Sequence, residues 1–181
     1  VSGTKGLVPA GDQADAYLVP AMVGGQIALL LVERGAGVKA AGHTNLDGSR
    51  AAEVVFDGAP ATLVTRDGLA ALEHAVDIGI APACAEGVGA IDRTMQLTAE
   101  YLNTRKQFGV PIASFQALRH RMADMKMQQE LARSMSYYAS LKLTAPADER
   151  RRALARAKYQ LGVAMRFVGQ NSVQLHGGIG V

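Results

Sequence analysis

The hydrophobic period of this chain changes once, at Asp67-Gly68. Before that point, short apolar runs alternate with glycine-rich turns; after it, apolar residues recur every three or four positions almost to the end. Side chains alternate across a strand but line up along one stripe of a helix, so the two periods predict two kinds of structure in succession. Residues 1–65 read as part of a β-domain and residues 66–181 as a helical domain, an α+β class. The runs 17–23 and 26–32 flank Gly24-Gly25, a tight hairpin signal because both central residues of such a turn need positive φ. Glu33 to Gly37 makes a second turn, and residues 51–56 form a strand between Asp47-Gly48 and Asp57-Gly58. Closely spaced short strands with such turns predict an antiparallel sandwich or barrel segment.

Three long helical patterns follow. The first places Leu69, Leu72, Val76, Ile80, Ala83, Gly87, Ile91, Thr94 and Leu97 on one stripe and runs to about Thr104. At 1.5 Å per residue it would be roughly 55 Å long. Pro82 inside it removes a backbone donor. Gly79, Gly87 and Gly89 lower helix propensity by about 1 kcal/mol each and admit a close neighbour. The second pattern follows Ser114 and carries Phe115, Leu118, Met122, Met125, Ala132 and Met135. Methionines at helical spacing read as core in preference to an adaptable binding surface. The third starts near Asp148, where residues 144–148 offer caps, and carries Leu154, Ala157, Leu161, Ala164 and Val168 towards Gln174; Gly177-Gly178 ends it. Long amphipathic helices joined by short loops predict an antiparallel bundle, here three members of an incomplete four-helix bundle.

The corner between the first two helices is the most unusual stretch. Gly109 and Pro111 break the helix, and Arg105 and Lys106 put positive charge at its carbonyl end. Phe108 is aromatic where a loop is normally polar, and Ser114 is placed to cap the next helix. An arginine, an aromatic and a glutamine in one tight turn suit a large, flat, phosphate-bearing ligand. An ordinary helix corner with Arg105 as a dipole partner is the other reading.

Composition narrows the classes. At 49% apolar and 19% charged the chain is globular. A net charge of +3 is scattered, and Arg150-Arg151-Arg152 beside Asp148-Glu149 reads as a solvated helix start rather than a nucleic-acid patch. Cys84 is the only cysteine, which excludes an internal disulfide and a cysteine metal cluster. No apolar run approaches transmembrane length and no signal-peptide pattern opens the chain. The histidines, His176 included, lack the second ligand or paired carboxylate that metal or acid–base work requires.

Two blocks carry a likeness. Arg105-Lys106-Gln107-Phe108-Gly109-Val110-Pro111-Ile112, continuing through Phe115-Gln116 to Met122-Ala123-Asp124-Met125, resembles a signature of the acyl-CoA dehydrogenase flavoprotein family. Val173-Gln174-Leu175-His176-Gly177-Gly178-Ile179-Gly180 resembles a second one, in the right order and spacing. Within the family the likeness is greatest to a small subunit. The resemblance implies α,β-dehydrogenation of an acyl-CoA thioester, with loss of an α-proton to a carboxylate and of a β-hydride to flavin N5. It implies FAD as cofactor, a homo- or hetero-tetramer, an electron-transfer flavoprotein as acceptor and a bacterial-type cytoplasmic location. Arg105 matches a position that meets the FAD pyrophosphate of a neighbouring subunit. Gln107 and Phe108 match positions near the same cofactor, Gln116 one on its adenosine side, and Gln174, Gly177 and Gly178 a turn that meets FAD across an interface. By the same likeness the chain is a fragment, with a helical domain before Val1 and further helices after Val181.

Departures from the family pattern matter as much. The usual catalytic base is expected beyond Val181. The alternative position on the first long helix is Gly79 here, and Glu86, seven residues on, is the nearest carboxylate on that face. Asp77 matches a position that contacts CoA, but the arginine that accompanies it in relatives is replaced by Ile80. Leu7 stands where relatives often have an aromatic against the flavin, and Pro9 where they have a hydroxyl. These departures support an alternative: a non-catalytic partner subunit that completes the FAD site of another chain.

Overall fold

In the computed structural model, which describes all 181 residues, the chain divides into two units, Val1–Glu73 and His74–Val181. The first unit contains β1 (Gly3–Pro9), β2 (Ala16–Val23), β3 (Gln26–Glu33), β4 (Val38–Thr44), β5 (Arg50–Phe56) and β6 (Thr62–Thr65). They form two antiparallel sheets, ordered β1-β5-β4 and β2-β3-β6. The Gly24-Gly25 hairpin forms as expected: Val23 pairs with Gln26, and both glycines have positive φ. Tyr17 and Val19 of β2 and Ala52, Val54 and Phe56 of β5 point inward at a period of two. Tyr17 meets Phe56 edge-on at 5.7 Å, and its hydroxyl donates to the Gly11 carbonyl at 2.6 Å. Strand β4 (Val-Lys-Ala-Ala-Gly-His-Thr) has little strand character of its own. It forms because β5 supplies a full ladder, from Val38 opposite Phe56 to Thr44 opposite Arg50.

The helical part comprises α1 (Gly68–Thr104), α2 (Gln116–Leu141) and α3 (Ala147–His176), with a two-strand ribbon of β7 (Lys106–Gln107) and β8 (Val110–Pro111) between α1 and α2. The helix α1 continues through Pro82. Three sequence expectations need correction. The buried stripe of α1 is Asp77, Ala81, Cys84, Gly87, Ile91, Met95, Thr98 and Leu102; of the expected stripe Gly87 and Ile91 are buried and Leu72 and Ile80 half-buried, whereas Leu69, Val76 and Leu97 are exposed. Apolar residues occupy two faces of α1, and packing against the other helices selected the one that carries Ile91, Met95 and Leu102. Ser114 does not cap α2 either. It lies in a single 3₁₀ turn, Ile112–Ser114, and its hydroxyl reaches back to the Pro111 carbonyl at 2.7 Å, leaving Phe115 at the cap position. Nor do side chains of residues 144–148 cap α3: its cap is Pro146, and Asp148 and Glu149 supply negative charge to the first turn.

The buried positions of α2 and α3 are mostly as the spacing predicts, with Met125 and Ala132 on α2 and Leu154, Ala157, Leu161, Ala164 and Val168 on α3. Met122 and Met135 pack half-buried against them. These two helices run closest together, because small residues such as Ala139, Ser136, Ala153 and Ala157 line their contact. Against α1, α3 lies parallel and in register. Asp77 meets Arg150, Gly87 meets Leu161 and Tyr101 meets His176. A buried Gln129 on α2 donates to Asp92 on α1, and Arg133 reaches the same carboxylate oxygen at 3.2 Å.

Two substitutions test this packing by chemical or thermal unfolding. A Cβ at Gly87 would stand 2.8 Å from both methyls of Leu161. Gly87→Val is therefore expected to destabilise the protein by about 2 kcal/mol through overpacking, and no loss would mean that α1 and α3 are not held this close. The Asp77–Arg150 pair is 2.8 Å long and nearly dry at both side chains. Arg150→Ala should cost about 3 kcal/mol by leaving a buried carboxylate unpaired, and adding Asp77→Asn should recover part of that loss.

Candidate functional site

The end of α1 passes into the ribbon without slack. The Arg105 amide donates to the Tyr101 carbonyl at 2.8 Å, and the Arg105 carbonyl accepts from the Ile112 amide at 2.9 Å. Lys106 pairs with Pro111 and Gln107 with Val110, which leaves Phe108-Gly109 as a two-residue turn. Their φ values are 53° and 81°, the handedness that closes a short hairpin. Glycine takes this backbone freely, whereas for Phe108 it costs on the order of 1 kcal/mol. The strained residue is also 90% exposed, its ring steadied edge-on by Phe115 at 6.0 Å.

The polar groups around this tip are free to bind. Arg105 is exposed and its guanidinium has no partner within the chain. Gln116, the first residue of α2, is exposed and equally uncommitted. Gln107 is exposed, with its amide resting on the Lys106 carbonyl at 2.9 Å. A free guanidinium that presents a planar fork, beside exposed amides and an exposed ring, fits the phosphates and flat rings of a dinucleotide such as FAD.

The second block forms the end of α3. Leu175 is buried while Gln174 is exposed, as one turn of helix dictates. Gly177, at φ 60° and ψ −138°, occupies a region that only glycine visits comfortably, and its amide donates to the Gln174 carbonyl. Gly178 is exposed, with nothing near the position a Cβ would take.

The fold brings the two blocks together. His176 stacks on Tyr101 with ring centroids 4.5 Å apart and planes 24° from parallel. Its Nδ1 donates to the Ser172 carbonyl at 2.8 Å, which leaves Nε2 without the hydrogen. Arg105 hangs from the carbonyl of the same Tyr101. Beside the pair lies a cavity of about 240 Å³ bordered by Thr98, Ser172 and His176, where the buried Ser172 hydroxyl finds no partner. On the α2 side of the ribbon lies another of about 220 Å³, bordered by Leu102, Asn103 and Arg119. Sequence reasoning gave His176 no role, since its partner is an aromatic on another helix and no local motif announces such a pair.

The remaining sequence-derived candidates lie elsewhere. Asp77 is 3% exposed and held by Arg150, so its carboxylate serves the joint between α1 and α3. Glu86 is exposed on α1 and lacks, within this chain, the dry surroundings that raise a carboxylate into the range of a general base. Leu7 is exposed at an irregularity between β1 and β5, with φ 51°. Cys84 is buried, which pushes its thiol pKa up and leaves it inert. No group of three metal-ligating side chains occurs, and no helix is long and apolar enough to cross a membrane.

Residues 66–181 match the family profile described as acyl-CoA dehydrogenase, C-terminal domain. Acyl-CoA dehydrogenase IpdE2 of Mycolicibacterium smegmatis is 36% identical over 136 residues, covering 75% of this chain and 40% of that protein. The ChsE4-ChsE5 complex from Mycobacterium tuberculosis is 31% identical with a TM-score of 0.81, over 99% of this chain and 49% of the other. Butyryl-CoA dehydrogenase from Megasphaera elsdenii gives 28% and 0.89, over 99% and 50%. The chain thus spans about half the length of these solved relatives. With that match over well more than half its length, on a fold the sequence already implied, the chain belongs to the acyl-CoA dehydrogenase family.

Proposed function

We propose that this chain is part of a subunit of an FAD-dependent acyl-CoA dehydrogenase, and that the Tyr101–His176 end of its helical unit faces FAD bound mainly by a neighbouring subunit. The observation that supports this most is the meeting, at one end of one unit, of two blocks about seventy residues apart: the Arg105 ribbon and the Gln174–Gly178 turn. Every uncommitted polar side chain of both blocks is exposed, as a site completed by another chain requires.

FAD supplies the acceptor for the β-hydride of an acyl-CoA thioester. The residues of this chain bind and orient. The Arg105 guanidinium would hold the pyrophosphate and offset its charge. Phe108 covers an apolar edge of the cofactor and excludes water there. Gln116 offers both a donor and an acceptor to the adenosine end. At Gly177-Gly178 the backbone comes close to the cofactor without a side chain in the way. The assembly is a homo- or hetero-tetramer, and an electron-transfer flavoprotein takes the electrons onward.

A second reading has its own support. Glu86 is exposed, Asp77 is committed to Arg150, and Leu7 cannot stack on a flavin as an aromatic would. A chain with those features serves as a non-catalytic partner that completes the FAD site of a different subunit. The solved relative named as a ChsE4-ChsE5 complex makes a two-chain assembly a natural comparison.

Two measurements decide. In the full-length protein, purified alone and with candidate partner subunits, Arg105→Ala is expected to weaken FAD retention by at least about tenfold, the worth of one charge-assisted contact. Unchanged flavin content would remove Arg105 from the cofactor site. Anaerobic addition of acyl-CoA thioesters should bleach the oxidised flavin band. Bleaching by the protein alone favours the catalytic reading; bleaching only in the mixed complex favours the partner reading.

A further inference from the structure

We infer that His176 is a positioning residue: by stacking on Tyr101 it sets the spacing between Arg105 and the Gly177-Gly178 turn, and so the width of the FAD-facing edge. The inference rests on the cofactor-facing role proposed above. Three features of the pair carry it.

The first is the fixing of the ring. Nδ1 of His176 donates to the Ser172 carbonyl one turn back in its own helix, so the imidazole plane is tied to α3 and cannot swing away from Tyr101. The second is what Tyr101 holds. Its carbonyl accepts the Arg105 amide at 2.8 Å and the Thr104 hydroxyl at 3.1 Å, so a shift of Tyr101 moves the root of the ribbon. Gly177, next to His176, starts the other block. The ring stack therefore joins one block to the other directly, beside the apolar packing of Leu102 and Leu175 in the same core cluster.

The third is the distribution of ties along the parallel helices. Asp77–Arg150 holds one end of α1 against α3 and Tyr101–His176 the other. They are separated by 24 residues on α1, roughly 36 Å of helix. Between the ribbon and the Gly177 turn there is no ion pair, and the adjacent cavity with its unpartnered Ser172 hydroxyl shows that packing there is open. Loss of the ring would let the two blocks drift while the distant core stays closed. A misplacement of about 1 Å is enough to weaken a multidentate site strongly.

The test uses the flavin-free full-length assembly, titrated with FAD while flavin fluorescence is followed, together with thermal unfolding of each variant. His176→Ala, and His176→Leu as a bulkier second variant without the stack, should each raise the FAD dissociation constant by about tenfold. His176→Phe keeps a ring over Tyr101 and should stay within about threefold of the parent. Arg150→Ala, at the far end, should lower the unfolding temperature without weakening FAD in the folded protein. Parent-like affinity in His176→Ala and His176→Leu, with Arg105→Ala weakened, would overturn the positioning role alone. Equal weakening by Arg150→Ala and the His176 variants would also overturn it, because general loosening would then suffice. No effect from Arg105→Ala as well as from the His176 variants would instead sink the cofactor-facing reading beneath it.

Discussion

The helical unit depends on the parallel register of α1 and α3. Consecutive helices in a bundle run antiparallel, so a first and third helix run the same way and their ends coincide. Here the register is held by three different kinds of contact in turn. A nearly dry ion pair stands at Asp77–Arg150, a side chain fits against bare backbone at Gly87–Leu161, and two rings stack at Tyr101–His176. The ion pair is a poor source of net stability, since desolvation offsets its attraction, but a slipped register would bury one of its charges alone. It therefore acts against misalignment more than for stability. The glycine sets the helix separation at mid-length, and the ring stack closes the end where both functional blocks emerge.

That end is built unlike the rest of the unit. Elsewhere α1, α2 and α3 bury small and aliphatic side chains with their polar groups paired, as Asp92, Gln129 and Arg133 show. At the ribbon, a phenylalanine is held in a left-handed conformation and left in solvent, and an arginine stands without a counter-ion. The left-handed phenylalanine is the costly one of the two, since an exposed guanidinium is satisfied by water. On the cofactor-facing reading proposed above, an aromatic ring system and a pair of phosphates from outside the chain would complete them.

The same view separates family membership from catalytic competence. On the reading proposed above, the bundle, the ribbon and the glycine turn would hold and face a cofactor. Of the two carboxylates that the sequence singled out on α1, Asp77 is buried against Arg150 and Glu86 is exposed. Binding geometry and proton abstraction are thus distinct functions, and family membership alone does not assign the second to these residues.

Much of this was legible in the sequence. The change of period at Gly68 placed the start of α1, Gly24-Gly25 announced its hairpin, and the 3-4-3-4 spacing on α3 named its buried residues, because each of these depends on local geometry alone. The two blocks at Arg105 and Gln174 could likewise be picked out by residue type. Pairing was not legible. The inward face of α1 was assigned correctly at Gly87 and Ile91 but one position out of phase towards both ends, because both faces are apolar and only packing chose between them. Strand β4 exists through its ladder with β5. Ser114 turned backwards because the chain inserted a 3₁₀ turn that spacing could not foresee. Asp77 found Arg150, and His176 found Tyr101, across more than seventy residues of chain. Sequence determines periods, turns and the chemistry on offer; which groups meet is decided by the register of the helices, a property of the packed structure that no single segment contains.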